Sequence, residues 1–260
     1  MKLRTIQFIT GLLVVSSHVF GQNARFAKSG IIEFEKSVNM FALIPKIFTK
    51  DNEDFYGPAF EEYKKNQPQF KKLKSTLTFS NNQTLFVPEA VSLTAQVGFF
   101  GNMPMTSQNS TIYTDLTNSK KVSRKQFFDE AFLISDTTRK IKWKITSETR
   151  EIAGYPCRRA NAIVLDSVYV VAFYTDRIPV SGGPESFTGL PGMILGIALP
   201  HENITWFATK VTDTPVAPNI IKPPVKGKVA TNQEFLKSLS SVMNDSRGTY
   251  LQLYLKSFSL

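Results

Sequence analysis

The sequence predicts a mainly β protein with a few helices: a curved antiparallel sheet or incomplete barrel with a C-terminal helix packed against it. Three observations carry that expectation. Short segments alternate apolar and polar residues and are separated by turn formers at regular spacing, as half-buried strands require. No helical stretch of about 10 to 15 residues stands between consecutive strands, so βαβ crossovers and a parallel sheet are not expected. The one clear helix-start signal lies near the end of the chain, behind a proline-rich stretch.

The first residues run Met1-Lys2-Leu3-Arg4, then a mostly apolar stretch from Ile6 to Val15, then Ser16-Ser17-His18-Val19-Phe20-Gly21. This is the pattern of a secretory signal peptide over residues 1–21, with Val19 and Gly21 as the small residues before the cut. The apolar stretch falls short of the roughly 20 residues that a transmembrane helix needs, and nothing later approaches that length. The mature protein is therefore expected to start near Gln22, to be soluble, and to reside in the periplasm or outside the cell. A lipid anchor would need a cysteine where Gln22 stands.

A β-rich domain is expected over residues 22–212. Gly30 to Val38 reads as its first strand, with Ile32 and Phe34 alternating with polar neighbours. From Asp51 to Lys74 the pattern is broken by Pro58 and Pro68 and reads as a surface excursion with one short helix, Ala59 to Asn66. The strand pattern resumes over Ser75–Ser80, turns through Asn81-Asn82, and continues over Gln83–Val87 until Pro88 stops it. Thr94 to Gln108, with Gly98, Gly101 and Pro104, has no clean period and reads as a loop. Its exposed-looking Phe99, Phe100, Met103 and Met105 form a candidate contact surface, because Met and Phe adapt to partners. Further strands are expected over Thr111–Leu116, Lys120–Phe128, Glu130–Ser135, Ile141–Ile145, Arg158–Leu165 and Val168–Thr175, the last two flanking a tight turn at Asp166-Ser167. Residues 213–230, with Pro215, Pro218, Pro223 and Pro224, read as an extended connection. A C-terminal helix and tail follow over 231–260. Thr231 and Glu234 form a capping box, and Phe235, Leu236, Leu239, Val242 and Met243 fall on one face before Gly248, a favoured stop. Tyr250 to Phe258 fits either a strand or a further helical segment.

The charge is basic, +10 overall and about +8 once Lys2 and Arg4 leave with the signal peptide. The cations fall in short groups such as Lys64-Lys65, Lys71-Lys72, Lys120-Lys121 and Arg158-Arg159, a pattern that suits a solvated surface. Nucleic acid is not an expected partner of an exported chain. Without His18, the mature chain has one histidine, His201, and one cysteine, Cys157. The usual zinc spacings cannot be written with that inventory, although an all-carboxylate cation site stays open. A lone cysteine forbids an internal disulfide. A Cys157–His201 dyad lacks a sign of thiol activation, and Glu61-Glu62 and Asp129-Glu130 are adjacent, which in a strand points them to opposite faces. No cofactor and no catalytic residue are expected.

The most distinctive stretch is Gly183-Pro184, Phe187 and Gly189-Leu190-Pro191-Gly192-Met193-Ile194. Pro191 followed by Gly192 suits a type II turn, proline fixing the first central φ and glycine accepting the positive second one. The hexapeptide resembles the one that names the GLPGLI family, with Met193 in place of leucine. A second group, Trp143-Lys144-Ile145, Glu148, Gly154-Tyr155-Pro156-Cys157 and Ala160, is similar to that family's upstream motif. Gly30-Ile31-Ile32-Glu33-Phe34 looks like its opening strand. The resemblance implies an exported protein of Gram-negative bacteria without an established activity, often seen near genes for TonB-dependent outer-membrane receptors. Two functional readings follow: a non-catalytic binding or accessory protein of the cell envelope that works with such a receptor, or a periplasmic carrier of an apolar ligand in a half-barrel cavity.

Overall fold

The computed structural model describes residues 26–90, 100–101, 103–217, 219–242 and 249–260. Its strands are β1 (Ser29–Asn39), β2 (Phe70–Ser80), β3 (Gln83–Pro88), β4 (Ser110–Asp115), β5 (Lys120–Phe127), β6 (Glu130–Thr137), β7 (Lys144–Ile152), β8 (Tyr155–Val164), β9 (Val168–Thr175), β10 (Met193–Leu199), β11 (Ile204–Asp213) and β12 (Lys228–Ala230). All twelve belong to one sheet in the order β12-β6-β5-β4-β3-β2-β1-β11-β10-β9-β8-β7. The sheet is open rather than closed into a barrel, with β12 and β7 at its two edges. Each neighbouring pair is antiparallel except β12 with β6, which is parallel.

Hairpin chemistry sets much of this order. Asn81 and Asn82 take φ of 49° and 59° between Ser80 and Gln83, the double positive φ of a two-residue turn whose twist matches its strands. Ala153 and Gly154, at φ 50° and 80°, do the same between Ile152 and Tyr155. Leu165 and Asp166, at φ 50° and 62°, open the connection from β8 to β9. The central strand β1 closes the long range, its Ile31 facing Thr78 of β2 and Thr212 of β11.

The helices are α1 (Met40–Leu43), α2 (Glu53–Asn66), α3 (Asn232–Val242) and α4 (Thr249–Ser259). The excursion after β1 is thus a longer helix than its prolines suggest. Pro58 lies inside α2, yet Tyr56, Phe60 and Tyr63 pack on Phe41 and Phe48, and that burial outweighs the local cost of the missing N–H. The capping box forms as expected: Glu234 N donates to Thr231 Oγ1 at 3.1 Å, and Thr231 N to Glu234 Oε2 at 2.8 Å. Tyr250–Phe258 is helical. Val242 points outward, 59% exposed, whereas Phe235 and Leu239 are fully buried.

Residues 213–230 are more than a connection. β12 extends the sheet, Ile221 is buried, and Gly227 sits at φ +143° where a Cβ would come within 3.0 Å of the Ala131 carbonyl oxygen. The strand expected over Ile141–Ile145 lies further along, as β7, and leaves Trp143 outside the ladder. The leader with its cut at Gln22, and also Phe99, Pro218, Met243 and Gly248, lie outside the described residues. Among the described residues no helix is long and apolar enough to cross a membrane.

Alternating side chains divide the interior into two apolar clusters. The larger collects Ile32, Phe34, Leu77, Phe79, Ile197 and Trp206 from the middle of the sheet. The smaller joins Phe127, Phe132 and Ile134 of the β5–β6 hairpin to Phe235 and Leu239 of α3 and Phe258 of α4. Burial at about 25 cal/mol per Å² of apolar surface is the main force holding α3 and α4 on the hairpin.

Candidate functional site

The two sequence motifs meet. Asp176 to Gly192 connect β9 to β10 as an ordered loop whose Phe187 and Leu190 are buried. Ser181 Oγ donates to Leu190 O at 2.6 Å and accepts from Gly189 N at 3.1 Å, pinning the loop to itself. Trp143 Nε1 donates to Thr188 O at 2.9 Å, and its ring lies 3.6 Å from where a Cβ on Gly189 (φ +95°) would stand. Gly183 and Pro184 are buried, and a Cβ on Gly183 would come within 2.8 Å of Ile194 Cβ. The expected type II turn at Pro191-Gly192 is replaced by a tighter one. Gly192 N donates to Leu190 O at 2.8 Å across Pro191, while Met193 N donates to Ile178 O at 3.0 Å, which draws the chain straight into β10. Gly192 takes φ +150°, and a Cβ there would stand 2.1 Å from Thr175 O.

Downstream of the Ala153-Gly154 turn, β8 presents Tyr155 half-buried and Cys157 and Ala160 fully buried. Burial pushes the Cys157 thiol up to about 12, and its Sγ lies 3.4 Å from Tyr155 O. His201 is exposed on the 3-10 turn Pro200–Glu202, with its ring 6.3 Å from that of Tyr169. Native protein should therefore resist alkylation at pH 8, where an ordinary thiol with a pKa of about 8.5 reacts readily, and should react fully in denaturant. Mass spectrometry of iodoacetamide-treated samples checks this; rapid native labelling would mean an accessible, ionised sulfur.

The candidate contact loop is placed differently from expectation. Phe100, Met103 and Met105 are 1%, 4% and 2% exposed. Phe100 sits edge-on to Tyr56 and Tyr63 of α2 at 5.9 and 6.0 Å between ring centroids. Thr106 Oγ1 donates to the carbonyls of Gly101 and Met103 at 2.8 Å each, closing the segment on itself. A segment without its own period has become core because α2 supplies an aromatic face to cover it. It is not a free contact surface.

What the motifs did not predict is a line of charged groups between the two apolar clusters. Lys36 of β1 is 4% exposed and Lys125 of β5 is 8% exposed. Lys36 Nζ donates to Ser107 O at 2.9 Å and lies 5.0 Å over the Trp206 ring, at the edge of the larger cluster. Lys125 Nζ lies 5.3 Å over the Phe235 ring, in the smaller one, and donates to Phe258 O. Glu185, in the motif loop at the unfavourable φ of 52°, stands between them and attracts both. Burial pushes the Glu185 carboxyl up, and the two lysines oppose that. Burial brings each of these lysines down to about 8, with Glu185 holding both up. Two enclosed voids of about 30 Å³ each border Glu185, room for a water apiece.

The end of α4 covers this line. Ser186 Oγ donates to Leu260 O, and Arg139 Nη2 to Ser259 O. Lys256 pairs with Glu202 at 2.8 Å. Beyond α4 the line opens into a cleft of about 760 Å³ bordered by Lys121, Lys125, Asp136, Arg139 and Lys140, with Leu236 and Phe258 as its apolar wall. The sequence does contain a signal for the buried lysines. Ile32, Phe34, Lys36 and Val38 share one face of β1, and Lys121, Ser123, Lys125 and Phe127 one face of β5, so each lysine occupies an inward register position. Among the described residues, no group of three or more His, Cys, Asp or Glu is placed to hold a metal ion.

Residues 164–196 match the model of an uncharacterised family, described as a protein of unknown function (Porph_ging). The matched segment runs from the end of β8 into β10 and contains Glu185 and the Gly189–Ile194 hexapeptide. No curated protein matches the chain. Two solved structures of PNGF-II, in different space groups, resemble it at a TM-score of 0.51 with 16% and 15% identity, over 81% and 89% of this chain. The matched part is 33% of the PNGF-II chain in each case, so this chain spans about a third of that protein's length. The likeness is one of fold.

Proposed function

We propose that this chain is an exported, non-catalytic binding or accessory protein of the cell envelope whose contact face is the cleft between the β5–β6 hairpin, α3 and α4. The observation that carries the reading is the line in which half-buried Glu185 joins the buried Lys36 and Lys125, leading into that cleft. Buried charge is expensive, and a hydrophobic substitute usually stabilises a fold as well or better, so charge kept inside is a sign of use. The rigid motif loop supplies Glu185 and is itself held by Trp143, which gives both motifs a positioning role. The resemblance to GLPGLI proteins adds the partner class, a TonB-dependent outer-membrane receptor.

The carrier of an apolar ligand gains less support, because the voids beneath α4 are water-sized and lined by Lys36, Lys125 and Glu185. Catalysis by Cys157 and His201 gains none from a thiol buried in β8 and an exposed imidazole. The test is a pull-down of tagged full-length protein from the envelope fraction under native conditions, with mass spectrometry of proteins and small molecules. Capture of an outer-membrane receptor that is lost in Lys121→Glu/Lys140→Glu and kept in Cys157→Ser/His201→Ala is the expected result. Loss of the associated phenotype in a normally folded Cys157→Ser/His201→Ala variant would overturn the non-catalytic reading.

A further inference from the structure

The cleft beside α4 contains more positive charge than the fold answers. Lys36, Lys121, Lys125 and Arg139 converge there or directly behind it, against two acids, Glu185 and Asp136. Glu185 is divided between Lys36 and Lys125. Asp136 lies on the exposed end of β6, and it is the acid lining the cleft. Lys121, Lys125, Arg139 and Lys140 therefore share Asp136 as the acid of the cleft, with Glu185 behind Lys125, an excess of cations over acids among the described residues that line it. Burial pulls Lys121, Lys125 and Arg139 down, Lys121 and Arg139 lower Lys125 further and Arg139 lowers Lys121, while Asp136 opposes this in all three and Glu185 in Lys125.

The hydrogen bonds around the cleft leave donors over as well. The donors of Lys125 and Arg139 that do find partners meet the free backbone carbonyls at the C-terminus of α4, whose partial negative charge offsets only part of two full cations. Arg139 Nη1 is buried and meets no acceptor. Ser123 Oγ, on the same face of β5 between Lys121 and Lys125, is also buried and meets none, but it borders the water-sized void beneath α4 rather than the cleft. Buried guanidinium and hydroxyl groups without acceptors are unusual enough in native proteins to need an explanation. One oxyanion supplies several acceptor lone pairs and a negative charge together, and Arg–oxyanion pairs are among the stronger charge-assisted bonds.

We propose that the cleft between β5–β6 and α4 is a binding site for an oxyanion, a phosphate or carboxylate group, held by Lys121, Lys125 and Arg139. The C-terminal carbonyls of Phe258 and Ser259 occupy part of the donor set, and the anion completes it. Phe258 and Leu236 add an apolar shoulder, so the ligand is an anionic group on a larger body rather than a bare ion. This rests on the cleft being the contact face proposed above.

The experiment is titration of the full-length mature protein with inorganic phosphate and, separately, citrate at 0.15 M salt, followed by calorimetry and by amide chemical shifts of β5 and β6. The expected result is saturable binding that weakens at least tenfold in Arg139→Gln and in Lys121→Gln, and is unchanged in the surface pair Lys64→Gln/Lys65→Gln. Lys121→Gln keeps the test valid if Arg139→Gln fails to fold, because Lys121 is partly exposed. Sedimentation with vesicles containing phosphatidylglycerol separates the sources. Vesicle binding competed by phosphate assigns the anion to a lipid headgroup, and phosphate binding without vesicle binding assigns it to a free ligand. Absence of saturable phosphate and citrate binding, or equal weakening by the surface pair, overturns the site. Receptor capture that survives with no anion binding would overturn this site alone, and anion binding without capture would overturn the partner reading alone.

Discussion

Replacing Gly192 by alanine should cost the protein about 3 kcal/mol or more, and at the size of this chain that is a fall in melting temperature of roughly 6–12 °C. Two independent penalties combine. Gly192 takes φ +150°, a conformation that side-chain-bearing residues avoid, and the added Cβ would stand 2.1 Å from Thr175 O and 2.8 Å from its carbonyl carbon. Both contacts are backbone atoms of β9, which is paired to β10 and has no freedom to retreat. Relief must come from the turn across Pro191, and that would release the Met193 N to Ile178 O bond and the start of β10. Gly57→Ala is the control, since nothing lies within 4 Å of its Cβ position and it is inside α2. There the exchange should change stability by no more than about 1 kcal/mol, because the helix preference for alanine is opposed by crowding of its Cβ against Pro58. Thermal melts of the two variants followed by circular dichroism decide the matter, and equal shifts would show that the Thr175 contact has been misread.

Phe100→Ala should destabilise by about 3–5 kcal/mol, the usual cost of removing a fully buried aromatic ring. Phe100 is 1% exposed and joins the segment before β4 to Tyr56 and Tyr63, so its loss leaves a cavity between α2 and the sheet that neither tyrosine can fill. Urea denaturation gives the measurement. A change under 1 kcal/mol would mean that the ring faces solvent, as the sequence pattern had suggested.

These two sites show where sequence reasoning reaches and where it stops. Strands announced themselves through period-two alternation, and the Asn81-Asn82 and Thr231–Glu234 signals were correct because each is decided within four residues. Phe100, Met103 and Met105 were misplaced because burial of an aperiodic segment is decided by what packs over it, here α2, more than 30 residues upstream of Met103. The need for glycine at position 192 was legible, but its cause is a tertiary contact with Thr175 rather than the turn type. Lys36 and Lys125 were hidden by the assumption that lysine marks a solvated face. Their register on β1 and β5 was open to inspection and says otherwise. Glu185 had no local signal, since its role depends on lysines about 150 and 60 residues earlier in the chain.

The central place of β1 has a kinetic consequence. Ser29 Oγ bonds to Thr214 O, 185 residues away, and the whole of β1 is sandwiched between β2 and β11. The first strand to leave the ribosome thus waits for the second-last strand before the middle of the sheet can close. The β2–β6 meander and the β7–β9 hairpins can pair locally as they emerge, but joining the halves must overcome loop-closure entropy over almost the full chain, and folding of such topologies is slow. A chain built this way has paired edges before it has a middle: the seam between β1 and β11 stays open until β11 has been made.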